Sequence, residues 1–309
     1  MLVSAAIRNL VAVSKVICWL ATTLMIMGVS AQAQESTNTS GSTGIIKVSD
    51  IIYAQVNEHD LNLDIYLPDS VENAPLLVYI HGGGWLRGSK DELPTDAFIK
   101  AGYAVASVEF RTSSVAMFPA QIHDIKAALR YLRGNADEYG FDASRIGIYG
   151  TSSGGHLVSV IAVSNGNAKM EGVLGVHLDQ SSDVQAVVSY YGASNLTSIL
   201  NQSTPHGLSV RSAALDLFIG GQPEDLPELA RLASPVFHVD PNSAPLLMLH
   251  GDQDPQMPIN QSHEMHHAYQ QQGVEVQFEV VHGAAHGGPH FVTDANNAIV
   301  KEFFDRHLR

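Results

Sequence analysis

The stretch Arg145-Ile146-Gly147-Ile148-Tyr149-Gly150-Thr151-Ser152-Ser153-Gly154-Gly155-His156-Leu157-Val158-Ser159-Val160-Ile161 decides how this chain reads. An apolar, β-prone run ends at Tyr149, and helical apolar spacing resumes at Leu157, Val158 and Ile161. The pattern G-x-S-x-G at 150–154 therefore falls where a strand turns sharply into a helix. Such a turn holds its central residue in strained backbone geometry, and side chains two positions away on either side would collide, so glycine at 150 and 154 has a steric reason. Ser152 is expected to stand at the edge of a sheet as a candidate nucleophile. Ser153 fits that role less well because it lacks the upstream glycine.

Working outward, strands alternate with helices. Leu76-Ile80 and Tyr103-Val108 are near-continuous apolar runs, the pattern of strands covered on both faces. Further buried strands are expected at Arg145-Tyr149, Ala186-Tyr191, Pro245-His250 and Val274-Val281, and two half-buried ones at Ile51-Val56 and Asn62-Leu67 open the domain in antiparallel fashion. Pro119 starts a helix with Ile122, Ile125, Leu129 and Leu132 on one face, while the opposite face carries Lys126, Arg130 and Arg133. Helices are also expected near 153–164, 261–272 and 294–308. The fold class is α/β: a three-layer sandwich of about eight mostly parallel strands with helices on both faces. Residues 193–242 depart from the rhythm, with Pro205, Pro223, Pro227 and Pro235 interrupting short helical pieces, and could form at most a small lid.

The 309 residues are 45% hydrophobic and 16% charged, a globular composition consistent with one large domain. Seventeen basic against 31 acidic residues give a formal charge of −14, which repels phosphate backbones and anionic lipids, so no nucleic-acid partner is expected. Arg8 and Lys15 precede an apolar run from Val16 to Val29, and Ala31-Gln32-Ala33 supplies a small-x-small cleavage pattern. Residues 1–33 read as a signal peptide, 34–44 as a polar flexible linker and 45–309 as the catalytic domain. The expected location is periplasmic or secreted, with no stable membrane insertion after cleavage. Cys18, the chain's 1 cysteine, would leave with the signal, so no disulfide would staple the mature domain.

A serine hydroxyl becomes a useful nucleophile when a histidine takes its proton and a carboxylate holds that histidine in the right tautomer. In a fold of this kind the acid follows a later strand and the histidine lies beyond the last one. After the strand ending near 250 comes Asp252-Gln253-Asp254, and after the strand ending at 281 comes His282-Gly283-Ala284-Ala285-His286. Asp254 and His286 are the first choices; Asp252, His282 and His290 are rivals that spacing does not exclude. A tetrahedral oxyanion also needs N–H donors, and the loop His81-Gly82-Gly83-Gly84-Trp85 occupies a place from which they can come, together with the N–H after the nucleophile.

Several blocks together resemble α/β-hydrolase esterases of the hormone-sensitive-lipase-like group, and most closely the bacterial feruloyl/acetyl-xylan esterase-like (BD-FAE-like) branch. They are HGGGW at 81–85, FPAQIHDIKAALRYLRGNADEYGFD at 118–142, the elbow followed by GGHL, SPVFHV at 234–239, HGDQDPQMP at 250–258 and GAAHGG at 283–288. The resemblance implies Ser152 as nucleophile, Asp254 as acid and His286 as base, with Gly83, Gly84 and Ser153 supplying oxyanion donors. Two departures stand out: Ser153 replaces the commoner alanine, and Met257 replaces a valine. The implied activity is hydrolysis of small or soluble carboxylic esters, short-chain acyl and including acetyl or feruloyl esters of sugars, through an acyl-enzyme and with no cofactor. Small-molecule or oligosaccharide esters are then the expected partners; oligomeric state is not legible. Trp85, the sole tryptophan after signal removal, is a candidate substrate-pocket wall.

Three other readings use the same letters. The triad could serve an amidase, formamidase or peptidase, because the fold does not fix the leaving group. His263-Glu264-Met265-His266-His267 satisfies H-E-x-x-H, the pattern of a zinc protease, but Gln270 and Gly273 stand where the longer pattern needs glycine and histidine, and a solvated histidine-rich helix face with His266 and His267 in water explains the same letters at no cost. A binding domain that kept the motifs without turnover is the third.

Overall fold

The computed structural model describes residues 44–69 and 71–309. The expected signal peptide, and all of the expected linker except Gly44, lie outside the described residues. An eight-stranded sheet organises the rest: β1 (Ile45–Val56), β2 (His59–Pro68), β3 (Ala74–Ile80), β4 (Ala104–Val108), β5 (Phe141–Thr151), β6 (Ala186–Tyr190), β7 (Leu246–Gly251) and β8 (Val276–Val281). Their order is β1-β2-β4-β3-β5-β6-β7-β8, antiparallel from β1 to β4 and parallel from there onward. This is the α/β-hydrolase three-layer arrangement. β1 starts six residues before the expected 51 because a register shift between Val48 and Ile51 interrupts its alternation, with Asp50 at φ 58°.

Among the described residues five helices have ten or more residues: α1 (Ala120–Gly134), α2 (Ser153–Ala162), α3 (Pro205–Ile219), α4 (Asn260–Gln272) and α5 (Asp294–Leu308). The sheet's side chains divide by parity. Leu76, Val78, Ile80, Ile146 and Ile148 meet α1, α2 and α4 through Ile122, Ile125, Leu129, Leu157, Val160 and Met265. Leu77, Tyr79 and Tyr149 turn the other way, onto Phe98, Val300, Phe303 and Phe304. Successive strand residues point to opposite faces, so a strand buried on both sides must be apolar throughout, as β3 is.

Two features go beyond the sequence reading. The polar face of α1 is not in water: Lys126 and Arg130 are 0% and 1% exposed, covered by the segment that carries Glu171 and Ser182. Lys126 Nζ donates to Glu171 Oε2 at 3.0 Å, Ser182 Oγ at 3.0 Å and the Ser164 carbonyl at 3.2 Å, and Arg130 binds the same carboxylate. Burial pulls the Lys126 ammonium down from its ordinary value, against the opposing pull of Glu171. Within 193–242, the expected short pieces include a full 15-residue helix, α3. Pro205 begins it and Pro227 and Pro235 begin two shorter turns, so these prolines open helices instead of breaking them. Among the described residues no helix is long and apolar enough to cross a membrane.

Candidate active site

β5 ends and α2 begins within one residue, and the chain reverses direction at Ser152, whose φ and ψ are 53° and −117°. Only close approach permits this. A Cβ on Gly154 would lie 2.2 Å from the Ile80 carbonyl oxygen, and one on Gly150 would lie 2.6 Å from the Gly154 carbonyl carbon. The elbow is pinned by the Ser152 N–H donating to the Tyr190 carbonyl at 2.9 Å and by the His156 N–H donating to the Ser152 carbonyl at 3.0 Å. Strain of this size persists only where the surroundings over-determine it.

Ser152 Oγ lies 2.8 Å from His286 Nε2, and His286 Nδ1 lies 2.6 Å from Asp254 Oδ2. An ionised carboxylate only accepts, so Nδ1 carries the imidazole proton and Nε2 is left to accept from the serine hydroxyl. Asp254 is 1% exposed at its side chain and His286 13%. Burial alone would raise the Asp254 carboxyl. Hydrogen bonding from His250, from His286 and from the Met257 N–H outweighs it and holds the group well below the usual carboxylate range. Oδ1 accepts from the Gln256 and Met257 N–H groups, each at 2.8 Å.

The loop after β3 runs beside the elbow: a Cβ on Gly82 would sit 3.4 Å from Ser152 Cβ. Gly83 and Gly84 have φ of +108° and +65°, and the Gly83 carbonyl accepts from the Leu86 and Arg87 N–H groups. Among the described residues no backbone carbonyl takes the N–H of Gly83 or Gly84. Ser153 is the first residue of α2, where an N–H has no intrahelical acceptor.

The rivals go elsewhere. Asp252 pairs with His282 at 2.8 Å, and the His282 side chain is 84% exposed. His290 is exposed, and its carbonyl accepts from Asn296. Trp85 does not wall a pocket: it is 2% exposed, its indole stacks on Phe218 with centroids 4.6 Å apart, and its N–H donates to His156 Nδ1 at 3.1 Å. A position beside the loop glycines reads as pocket lining in sequence, but the ring packs inward against Phe218 and His156. On α4, Glu264 is engaged by Asn195 Nδ2 at 2.6 Å and by Ser198 Oγ at 3.1 Å. His266 is half-buried against Phe278 instead of facing water, whereas His267 is exposed. Among the described residues no three His, Cys, Asp or Glu side chains are grouped to hold a metal ion.

Sequence reasoning missed three supporting residues. His250 is fully buried, with Nε2 at 3.0 Å from the Met257 carbonyl and 3.4 Å from Asp254 Oδ2, and Nδ1 at 2.7 Å from Ser262 Oγ. Arg211 reaches from α3 to the Gln256 carbonyl and to Ser203 Oγ; burial lowers its guanidinium to about 10 despite the nearby Asp254 charge. Tyr191 meets the His286 ring edge-on, with centroids 4.8 Å apart. The histidine of the HGDQD block was visible in sequence, but nothing marked Arg211 or Tyr191.

Comparison with known proteins follows this geometry. The BD-FAE family profile matches residues 63–269. The chain is 31% identical over 225 residues to esterase LipQ of Mycobacterium tuberculosis, across 70% of this chain and 51% of that protein. It spans about half the length of the curated relatives it matches first. Among solved structures, a truncated carbohydrate esterase from gut microbiota is similar at 34% identity and TM-score 0.76, covering 84% of this chain and 95% of that one. A bifunctional GH43-CE protein of Bacteroides eggerthii is similar at 35% identity and TM-score 0.76, covering 85% of this chain and 35% of that one.

Proposed function

The chain belongs to the BD-FAE family of α/β-hydrolases, and from that premise we propose that it is a serine carboxylesterase acting on small or soluble esters. The observation that carries this reading is the unbroken hydrogen-bond chain from Ser152 Oγ through His286 to Asp254. Ser152 attacks the ester carbonyl while His286 Nε2 takes its proton; Asp254 stabilises the imidazolium without itself becoming protonated. The oxyanion develops beside the Gly83, Gly84 and Ser153 N–H groups, which have no other backbone partner among the described residues and so can serve as preorganised donors. The proton then passes to the leaving oxygen, and water releases the acid by the reverse route.

The acyl groups are short-chain ones, and the esters include acetyl or feruloyl esters of sugars; the similarity to a solved carbohydrate esterase supports that substrate class. The Arg8, Lys15, Val16–Val29 and Ala31-Gln32-Ala33 pattern supports export, with cleavage after Ala33, to the periplasm or beyond.

The deciding experiment is hydrolysis of p-nitrophenyl esters from acetate to long acyl chains, with a fluorophosphonate and a metal chelator in parallel. The expected result is turnover abolished by the fluorophosphonate, with the label on Ser152. Chelator-sensitive turnover, or label elsewhere, would overturn the assignment.

A further inference from the structure

The oxyanion donors come from two separate pieces of chain: Gly83 and Gly84 follow β3, and Ser153 opens α2. One oxygen can take N–H groups from both only when the two pieces stand at a fixed distance, because a donor is effective at about 2.7–3.1 Å from the developing charge. Glycines supply no side chain to hold that distance, but the residue after them does. Trp85 is 2% exposed, and His156, one turn along α2 from Ser153, is 0% exposed. The Trp85 indole N–H donates to His156 Nδ1 at 3.1 Å, and among the described residues this is the sole hydrogen bond from residues 81–90 to α2. Both partners are themselves tied down. The His156 backbone N–H donates to the Ser152 carbonyl at 3.0 Å, and its Nε2–H to the Ala233 carbonyl at 2.7 Å. The Trp85 carbonyl accepts from Ser113, through the N–H at 2.8 Å and the hydroxyl at 3.0 Å. Phe218 of α3 lies flat on the indole with centroids 4.6 Å apart and meets the imidazole in a T-shaped contact at 5.6 Å.

When the bond from Ser152 Oγ to the acyl carbon forms, the carbonyl electron pair moves onto oxygen, where both sets of donors meet it. We propose that the Trp85–His156 hydrogen bond is the spacer of the oxyanion site. Both are positioning residues: they hold the glycine loop at the distance from the Ser153 N–H at which all three donors reach one oxygen. The bond needs an imidazole that accepts at one nitrogen and donates at the other, and a side-chain amide offers the same two roles. An aliphatic side chain offers neither and leaves a buried indole N–H without an acceptor. The oxyanion exists in the transition state and not in the bound ester, so the spacer acts on kcat and not on KM. The inference rests on the esterase reading above.

The test compares Trp85→Phe, which keeps a ring for Phe218 but removes the N–H, with His156→Leu and with the two together, on p-nitrophenyl acetate. Titration with a fluorophosphonate gives the fraction of competent molecules, and kcat is taken per competent molecule. Each single change should lower kcat about tenfold with KM within about twofold of wild type. The double variant should lose no more than the worse single one, because both changes remove the same bond. His156→Gln should return most of the loss. Affinity for a trifluoromethyl ketone, whose adduct with Ser152 carries an oxyanion, should fall in step with kcat. Unchanged kcat per competent molecule, a rise in KM alone, or additive losses in the double variant would make the pair a packing contact and overturn the proposal. Backbone amide NMR separates this proposal from the one it rests on. In His156→Leu the Gly83 and Gly84 signals, across the bond, should shift or broaden while those of Asp252 and His282 stay in place. That result upholds the spacer even without ester turnover, and unmoved Gly83 and Gly84 signals overturn it.

Discussion

Two aspartate-histidine pairs are built from the same two loops. Asp254 and His286 meet at 2.6 Å, Asp252 and His282 at 2.8 Å. The chemistry within each pair is the same, yet the surroundings differ throughout. Asp254 is 1% exposed, takes two backbone N–H groups on its other oxygen and has a buried histidine behind it. Asp252 is 31% and His282 84% exposed at the side chain, in reach of water and counterions. A carboxylate orients an imidazole for proton transfer when both are fixed and water is excluded; a pair on the surface loses most of its interaction to solvent screening.

The comparison breaks most easily at its strong end. Ser152→Ala or His286→Ala is expected to lower kcat for p-nitrophenyl acetate by about four orders of magnitude, with the fold intact by circular dichroism. Asp254→Asn, which keeps the shape but leaves the tautomer unspecified, should come within about tenfold of that loss. If Asp252→Asn were the damaging change, the assignment of the two pairs would have to be exchanged.

A third buried histidine sharpens the contrast because no carboxylate faces it. Trp85 N–H can only donate, so His156 Nδ1 accepts, and Nε2–H donates to the Ala233 carbonyl at 2.7 Å. Burial lowers His156 to about 4, with the Ala233 hydrogen bond pulling weakly the other way. In the unfolded chain the same group takes a proton near its ordinary value of 6.5. The fold's advantage is therefore intact above about pH 6.5 and is lost as pH falls toward 4, by about 3 kcal/mol in all. Denaturant melts at pH 7, 5 and 4 should show wild type losing that much more than His156→Gln. Parallel pH dependences for the two proteins would show that His156 is not held neutral.

These residues also mark how far the sequence could be read. The sheet was legible because strands covered on both faces must be apolar throughout, and β3 is. Ser152 was legible because the elbow leaves room only for glycine at 150 and 154. Choosing Asp254 over Asp252 needed a family pattern, since two positions on one loop carry no periodicity to tell them apart. Three outcomes depended on partners far away in the chain. Trp85 was drawn inward by Phe218, and the charged face of α1 was covered by Glu171. Arg211 found the Gln256 carbonyl across 45 residues. Local spacing carries no signal for such pairings, and a lysine at a polar helix position reads as solvated until the covering segment is placed.

Arg211 tests what keeps the buried pair in place. Its guanidinium ties α3 to the carbonyl of Gln256, the residue whose N–H holds Asp254 Oδ1. Arg211→Leu releases that loop and leaves the carbonyl without its donor. The expected result is about a tenfold fall in kcat, because small displacements of a general-base assembly are costly. KM for p-nitrophenyl acetate should change less, since the hydrogen bonds of Arg211 go to the Gln256 carbonyl and Ser203 and act on Asp254 only through that loop. A fall in KM alone, with kcat unchanged, would remove Arg211 from the positioning of Asp254.

The smallest effect belongs to the surface pair, and it tests the comparison from its weak side. Asp252 is held below the usual carboxylate range first by its hydrogen bond to His282 and then by the Gly283 N–H, so a specific local interaction exists. If any ordered Asp-His contact near the site assisted turnover, His282→Ala would slow the reaction measurably. The geometry gives His282 no route to Ser152: its Nδ1 is on Asp252 and its ring stands in solvent, while Ser152 Oγ is already on His286. His282→Ala and Asp252→Asn should each keep kcat within about twofold of wild type, with any change diminishing as salt is added. A tenfold loss that persists at high salt would mean that the exposed pair holds the loop bearing His286, and that the two pairs act as one unit.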